Sequence, residues 1–185
     1  NVNNTMYLKA DIIKGLSVKS LFGYEFIKRN TPNYEYNMVE RSERGMYDSF
    51  SLSNNTGRTM TWSNTMEYSN TFAGMHKINV VAGTEAIDNL WQTESGSGEK
   101  FFSDDPNYMQ LDIAEQNKIA NGSKTEWSLF SIFGRVNYQF ADKYLLEGVV
   151  RRDGSSRFGE EERYGIFPAV SVGWRMTNEN FMTPL

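Results

Sequence analysis

Side chains able to do chemistry are unevenly supplied in this sequence. There is one histidine, His76, no cysteine, and a surplus of carboxylates over Lys and Arg. Without cysteine, disulfides, zinc–cysteine sites and thiol catalysis are excluded. His76 flanks a short break between apolar segments and reads as a solvent-exposed turn residue, so no Ser/His/Asp arrangement can be built on it. A glycosidase pair needs two carboxyls about 5–9.5 Å apart, and nothing raises any pair above its neighbours. Glu160-Glu161-Glu162 and Asp104-Asp105 offer oxygen ligands, but neither has the spacing of an EF-hand loop. Both read as solvated acidic runs. "DGSSRFG" has phosphate-loop flavour without the Gly-Lys-Ser/Thr ending. No catalytic residue, metal or cofactor is assigned, and the chain reads as a non-enzyme.

Four other charges have a more definite address. Arg135, Glu147, Arg151 and Arg175 each occupy the polar parity of an alternating segment, where they would share one wall. The segments that carry them have a period of two. Phe130, Ile132, Val136, Tyr138 and Phe140 oppose Ser131, Arg135, Asn137 and Gln139. Tyr144, Leu146, Gly148 and Val150 oppose Glu147 and Arg151. Pro168, Val170, Val172, Trp174 and Met176 oppose Ala169, Ser171, Gly173 and Arg175. The same alternation runs through Met6–Ile12, Leu16–Phe26, Met60–Tyr68 and Ile78–Ala82. About seven strands are expected, and the fold class is all-β, an antiparallel up-and-down meander.

The connections alternate too. Breaks at Lys14-Gly15, Ala73-Gly74-Met75 and Ala141-Asp142-Lys143 are tight. Between them lie polar stretches, about 28–57 and 86–126, that read as long loops; in the second, "YMQLDIAEQNKIA" could form a short helix. Successive connections of a meander lie at opposite ends, so one end is trimmed and the other elaborated. Outer-membrane barrels have this asymmetry. Tyr24, Trp62, Tyr68, Tyr138, Tyr144 and Trp174 fall near strand ends, where amphipathic rings suit a membrane–water interface. A mean hydropathy of -0.57 does not argue against this, because lumen-facing and lipid-facing residues average out. The pattern alone also allows a soluble β-sandwich, perhaps a carbohydrate-binding module, with the rings in its core. A net charge of -4 argues against nucleic acid as a partner.

The last third of the chain narrows the choice. "GRVNY", the Asp-Lys-Tyr turn, "RRDGSSRFG", "RYGIFP" and "SVGWR" before "NENFM" occur in order and spacing that closely resemble the barrel of SusC/RagA-type TonB-dependent outer-membrane transporters. "VVAGTEAI" resembles it more loosely. The resemblance implies a large plugged barrel in the Gram-negative outer membrane of Bacteroidota, importing oligosaccharides or peptides. It implies a SusD-like surface lipoprotein, TonB and outer-membrane lipid as partners.

Residues 1–185 are accordingly expected to be part of a receptor barrel domain, not closed by themselves and without a plug domain. TonB would be engaged through other parts of the parent protein. Arg135, Glu147, Arg151 and Arg175 would face the lumen. Trp62, Tyr68, Tyr138, Tyr144 and Trp174 would mark the membrane interfaces. Arg151-Arg152-Asp153-Gly154 would end a strand, with Gly154 taking positive φ in the loop that follows.

Overall fold

The computed structural model describes residues 1–37 and 47–182. Seven strands follow one another: β1 Val2–Ile13, β2 Leu16–Glu35, β3 Ser49–Phe72, β4 His76–Glu99, β5 Gln116–Phe140, β6 Tyr144–Ser155 and β7 Tyr164–Trp174. They form one sheet whose spatial order is the chain order, β1 to β7. The expected all-β meander is therefore what the chain adopts. Among the described residues no helix is long and apolar enough to cross a membrane.

The long loops are shorter than the sequence suggests. β2 continues through "RNTPN" to Glu35, and β3 already begins at Ser49, so "SLSNNTG" is strand. β4 runs through "GSG" to Glu99, and β5 starts at Gln116. Polar residues on both parities hide a strand from a search for apolar alternation, yet its backbone ladder forms all the same. The expected helix around residues 108–120 reduces to one 3-10 turn, Leu111–Ile113.

The described residues divide into two compact units. The first holds residues 25–58 and 89–126 together with Asn1 and Val2. It contains the buried apolar residues Phe50, Met109 and Ala114, with Tyr34 stacked on Phe50 at 4.8 Å between ring centroids. Residues 100–115 lie across β4. A Cβ at Gly96 would come 2.7 Å from Leu111, and one at Gly98 would come 2.4 Å from the Ala114 Cβ. These glycines let side chains approach the strand backbone; they do not interrupt the strand.

The second unit holds residues 3–24, 59–88 and the chain from Trp127 onward. Its three tight turns sit where the sequence puts them. Ala141 and Asp142 both have positive φ (53° and 57°), as the central residues of a turn matched to strand twist do, and the Lys143 N–H closes that turn onto the Phe140 carbonyl at 2.9 Å. Backbone hydrogen bonds stitch neighbouring turns together: Ser69 N–H to Gly15 O, Ala141 N–H to Met75 O, and Arg175 N–H to Lys143 O, at 2.7–2.8 Å.

Gly154 corrects one expectation. It is not a left-handed loop residue but a buried member of β6, paired with Tyr164 of β7. A Cβ there would meet the Tyr164 ring at 2.4 Å. The ring lies over the glycine, and the turn comes later, beyond Ser155. Gly148, by contrast, has open space above it. In the full-length receptor, Gly154→Val is expected to destabilise the barrel by about 1–3 kcal/mol, while Gly148→Ala stays close to neutral. Urea midpoints of the detergent-solubilised protein check both.

Candidate functional site

The register of the last three strands sorts their side chains into rows. On the even-numbered face the rows are Phe140–Tyr144–Trp174, Tyr138–Leu146–Val172, Val136–Gly148–Val170, Gly134–Val150–Pro168, Ile132–Arg152–Ile166 and Phe130–Gly154–Tyr164. Aromatic rings occupy the first and last rows, and aliphatic residues dominate between. These rows lie ten residues apart along β6. That is about 33 Å of strand, or about 23 Å along the axis at a 45° tilt.

The even-numbered face has no protein layer over it among the described residues. Ile166, Val170 and Val172 are 65%, 76% and 83% exposed. Few polar groups interrupt it. His76 Nδ1 and the Tyr138 hydroxyl are 2.7 Å apart, and the His76 ring lies against Phe140. Trp62 donates its indole N–H to Ser20 at 3.0 Å. His76 is thus half-buried at the start of β4 and hydrogen-bonded, not the exposed turn residue expected from the sequence.

The odd-numbered face carries the charges. Arg151 is its hub. Its Nη2 donates to Glu85 Oε1 and to Ser131 Oγ, both at 2.9 Å, and its Nε donates to Asp153 Oδ1 at 2.6 Å. Ser63 donates to the other Glu85 oxygen at 3.1 Å. The guanidinium also stands 5.5 Å from the Phe133 ring centre. Gly83 makes room for that ring, since a Cβ there would meet it at 2.6 Å. Strands β4, β5 and β6 are thus tied through one side chain, β3 joins them through Glu85, and Ser131 is fully buried beneath Arg151.

A second cluster gathers at the tight turns. Lys77 pairs with Asp142 at 2.6 Å, and Gln139 donates to the same carboxylate. Lys143 pairs with Glu179 at 2.7 Å. Tyr144 and Trp174 donate to the other Glu179 oxygen at 3.0 and 3.1 Å. The Lys77 hydrogen bond holds Asp142 below the usual carboxylate range. Lys143 first, then Trp174, does the same for Glu179.

The four charges singled out by spacing have different fates. Arg135, opposite Val149, and Glu147, between Asn137 and Ser171, share the odd-numbered face but form no salt bridge among the described residues. Arg151 is the paired hub. Arg175 lies just beyond β7, with its Nη1 3.3 Å from the Asp142 carbonyl. Of the five interfacial rings, Tyr144 and Trp174 are direct neighbours across β6 and β7 and share Glu179. Tyr138 lies one row further along. Tyr68 accepts a hydrogen bond from Asn70, and Trp62 sits well inside β3. Glu85, Asp153, Ser131 and Glu179 were not among the site residues expected from the sequence. Parity would have put Glu85 and Asp153 on the Arg151 face, but which carboxylate meets Arg151 depends on pairing across several strands. Among the described residues no three His, Asp or Glu side chains converge as a metal site. Asp105 instead accepts from the Asn107 backbone at 2.9 Å within its own turn.

Two measurements follow from this geometry. Arg151→Met leaves Glu85 and Asp153 facing each other without their cation. The side chains are about a third exposed, so solvent limits the expected loss to about 1–2 kcal/mol, and a cycle with Glu85→Gln should show coupling near 1 kcal/mol. Asp142 and Glu179 both have depressed values in the folded state. Their contribution is present above the ordinary carboxylate range, about pH 4, and is lost as pH falls through the depressed folded values. A Trp174 fluorescence change confined to pH below about 4, and abolished by Glu179→Gln, is the expected readout.

No family profile matches the chain. Individual proteins do. It is 31% identical over 97% of its length to TonB-dependent receptor P39 of Formosa agariphila, and 26% identical over 95% to TonB-dependent receptor P3 of the same organism. It is 38% identical over 48% of its length to TonB-dependent receptor SusC of Bacteroides thetaiotaomicron. The chain spans 17% of P39 and of P3 and 8% of SusC. Among solved structures, the RagAB peptide transporter matches 98% of the chain with a TM-score of 0.87 at 24% identity, the chain covering 20% of that protein. The RagAB peptide importer in its "open-open" state matches 96% with a TM-score of 0.86. With seven meander strands in this register, and with these relatives, the chain belongs to the SusC/RagA-type TonB-dependent receptors, of whose barrel it forms a part.

Proposed function

We propose that these residues form part of the wall of an outer-membrane transporter that imports nutrients into the periplasm, its even-numbered face in lipid and its odd-numbered face toward the lumen. The observation that carries the reading is the exposed apolar row ending in aromatic rows on both sides. A row of valines and isoleucines exposed to this extent needs an apolar surrounding. A soluble sandwich would seal it with a second sheet, and no such sheet stands over it among the described residues. The opposite face, with its charged hub, suits water.

In this reading Phe130 and Tyr164, with Trp62 nearby, meet the outer interface. Tyr68, Tyr138, Tyr144 and Trp174 meet the periplasmic one, beside the tight turns. Arg135, Glu147 and Arg151 line the lumen. Arg135 and Glu147, without salt bridges among the described residues, are the better candidates for contacts to solute or plug, and Arg151 for holding the wall. Arg175 serves the turn cluster. Transport itself belongs to the whole receptor. Coupling to TonB and capture of an oligosaccharide or peptide with a SusD-like surface lipoprotein would draw on segments beyond these strands.

Parity labelling tests the placement. The chain contains no cysteine, so single cysteines can be introduced at Ala169, Val170, Ser171 and Val172 in a cysteine-free full-length receptor. Positions 169 and 171 are expected to react with a charged thiol reagent in intact membranes. Positions 170 and 172 are expected to react only with a membrane-soluble one. Equal reaction of all four with the charged reagent overturns the assignment. Val170→Arg should cost about 2–4 kcal/mol as a charge facing lipid, and Ser171→Arg far less. Uptake of labelled peptides against labelled oligosaccharides, with and without an intact proton gradient, decides the solute class.

A further inference from the structure

Arg152 breaks the pattern of its own face. It stands on the even-numbered side of β6 between Ile132 and Ile166, while its neighbour Arg151 points the other way into its carboxylates. No carboxylate among the described residues pairs with Arg152. Its guanidinium lies over the Tyr164 ring, 4.1 Å from the centroid. The row it occupies is one step inside the Phe130–Gly154–Tyr164 row, at the end of the unit opposite the tight turns.

An arginine facing lipid is costly at mid-depth and nearly neutral at the interface. From this row the side chain can lie along the Tyr164 ring and bring its head to the headgroup layer. Stacking occupies the flat faces of a guanidinium and leaves its N–H edge available, the edge that suits a phosphate in bidentate fashion. A second guanidinium is close by in sequence. Arg163 directly precedes Tyr164, and its Nε is buried with no hydrogen-bond partner. Arg163 and Tyr164 border a hollow of about 430 Å³ whose apolar walls include Phe22, Met60, Trp62 and Phe130. Asp88 also borders it, and Arg152 reaches its edge through the shared Tyr164 ring.

We propose that Arg152 and Arg163 hold the phosphate of a phosphorylated glycolipid of the outer leaflet, with the first part of an acyl chain in the hollow beside Trp62. The site rests on the reading of the even-numbered face as lipid-facing. Charge complementarity selects the occupant: Arg152 meets no carboxylate among the described residues, and the Tyr164 ring on which it lies walls the apolar hollow, at the depth where lipid phosphates lie.

The test uses the full-length receptor in nonionic detergent. It is titrated with lipid A, with dephosphorylated lipid A and with inorganic phosphate, and bound species are read by native mass spectrometry. Lipid A is expected to bind at least about tenfold more tightly than its dephosphorylated form, since charge-assisted contacts are the strong ones. Arg152→Gln should weaken lipid A about fivefold or more, and Arg152→Lys, which keeps the charge but not the planar edge, by a smaller factor. Inorganic phosphate should not compete, because it lacks the chain that fills the hollow. Unchanged lipid A affinity in both Arg152 variants overturns the proposal, as does equal binding of the dephosphorylated lipid. If Arg152→Gln does not fold, judged by heat-shifted gel mobility, Tyr164→Leu removes the stacking surface and should lower the affinity in the same direction. Failure here with lipid-only labelling at position 170 sinks the lipid site alone. Labelling of position 170 by the charged reagent sinks the membrane placement with it.

Discussion

The backbone ladder is the constraint from which the rest follows. Hydrogen-bonded strands can only present alternate residues to opposite sides, and a slip of one residue would exchange the two faces wholesale. Through β5, β6 and β7 the register aligns Tyr138 with Leu146 and Val172, and Asn137 with Glu147 and Ser171. One sheet thereby acquires an apolar and a charged surface only one backbone thick. Among the described residues of the second unit no further layer covers the apolar surface, where Val170 and Val172 are 76% and 83% exposed.

Side chains then specify the register that the backbone permits. The Arg151 hub reads across the sheet: Glu85 comes from β4, Ser131 from β5 and Asp153 from β6 itself. A shifted pairing would leave carboxylates without their cation, a costly arrangement where solvent is partly excluded. Glycine acts by subtraction. Gly83 admits Phe133 beneath Arg151, and Gly154 admits Tyr164 on the opposite face. Ring-over-glycine pairs of this kind pin a strand at a single position, because the neighbouring residues have Cβ atoms where the ring must lie.

The two ends of the second unit solve different problems. At the tight turns the chain reverses in two or three residues, and the charges are neutralised locally: Lys77 with Asp142, Lys143 with Glu179. Tyr144 and Trp174 place their polar tips on Glu179 while their ring bodies remain on the apolar face. At the other end Arg152 lies over the Tyr164 ring, and the Nε of Arg163 is buried without a hydrogen-bond partner. The first unit, by contrast, buries the apolar residues Phe50, Met109 and Ala114.

Much of this was legible in the linear order of residues. Period-two alternation, the three tight turns and the run from "GRVNY" to "NENFM" were sufficient for the strand number, the meander and the family, because alternation and turn chemistry are local properties of the chain. The parity of Arg135, Glu147 and Arg151 was legible for the same reason. Strand ends in the polar stretches were not: a strand wetted on both sides has no hydrophobic signature, so β2 to β5 run well past the apolar residues. Nor was the fate of any charge. That Arg151 is saturated by Glu85 and Asp153, that Arg152 lies over Tyr164, and that Gly154 lies under a ring instead of in a turn are decided by pairing between strands distant in sequence. Only the assembled sheet brings those side chains within hydrogen-bonding distance.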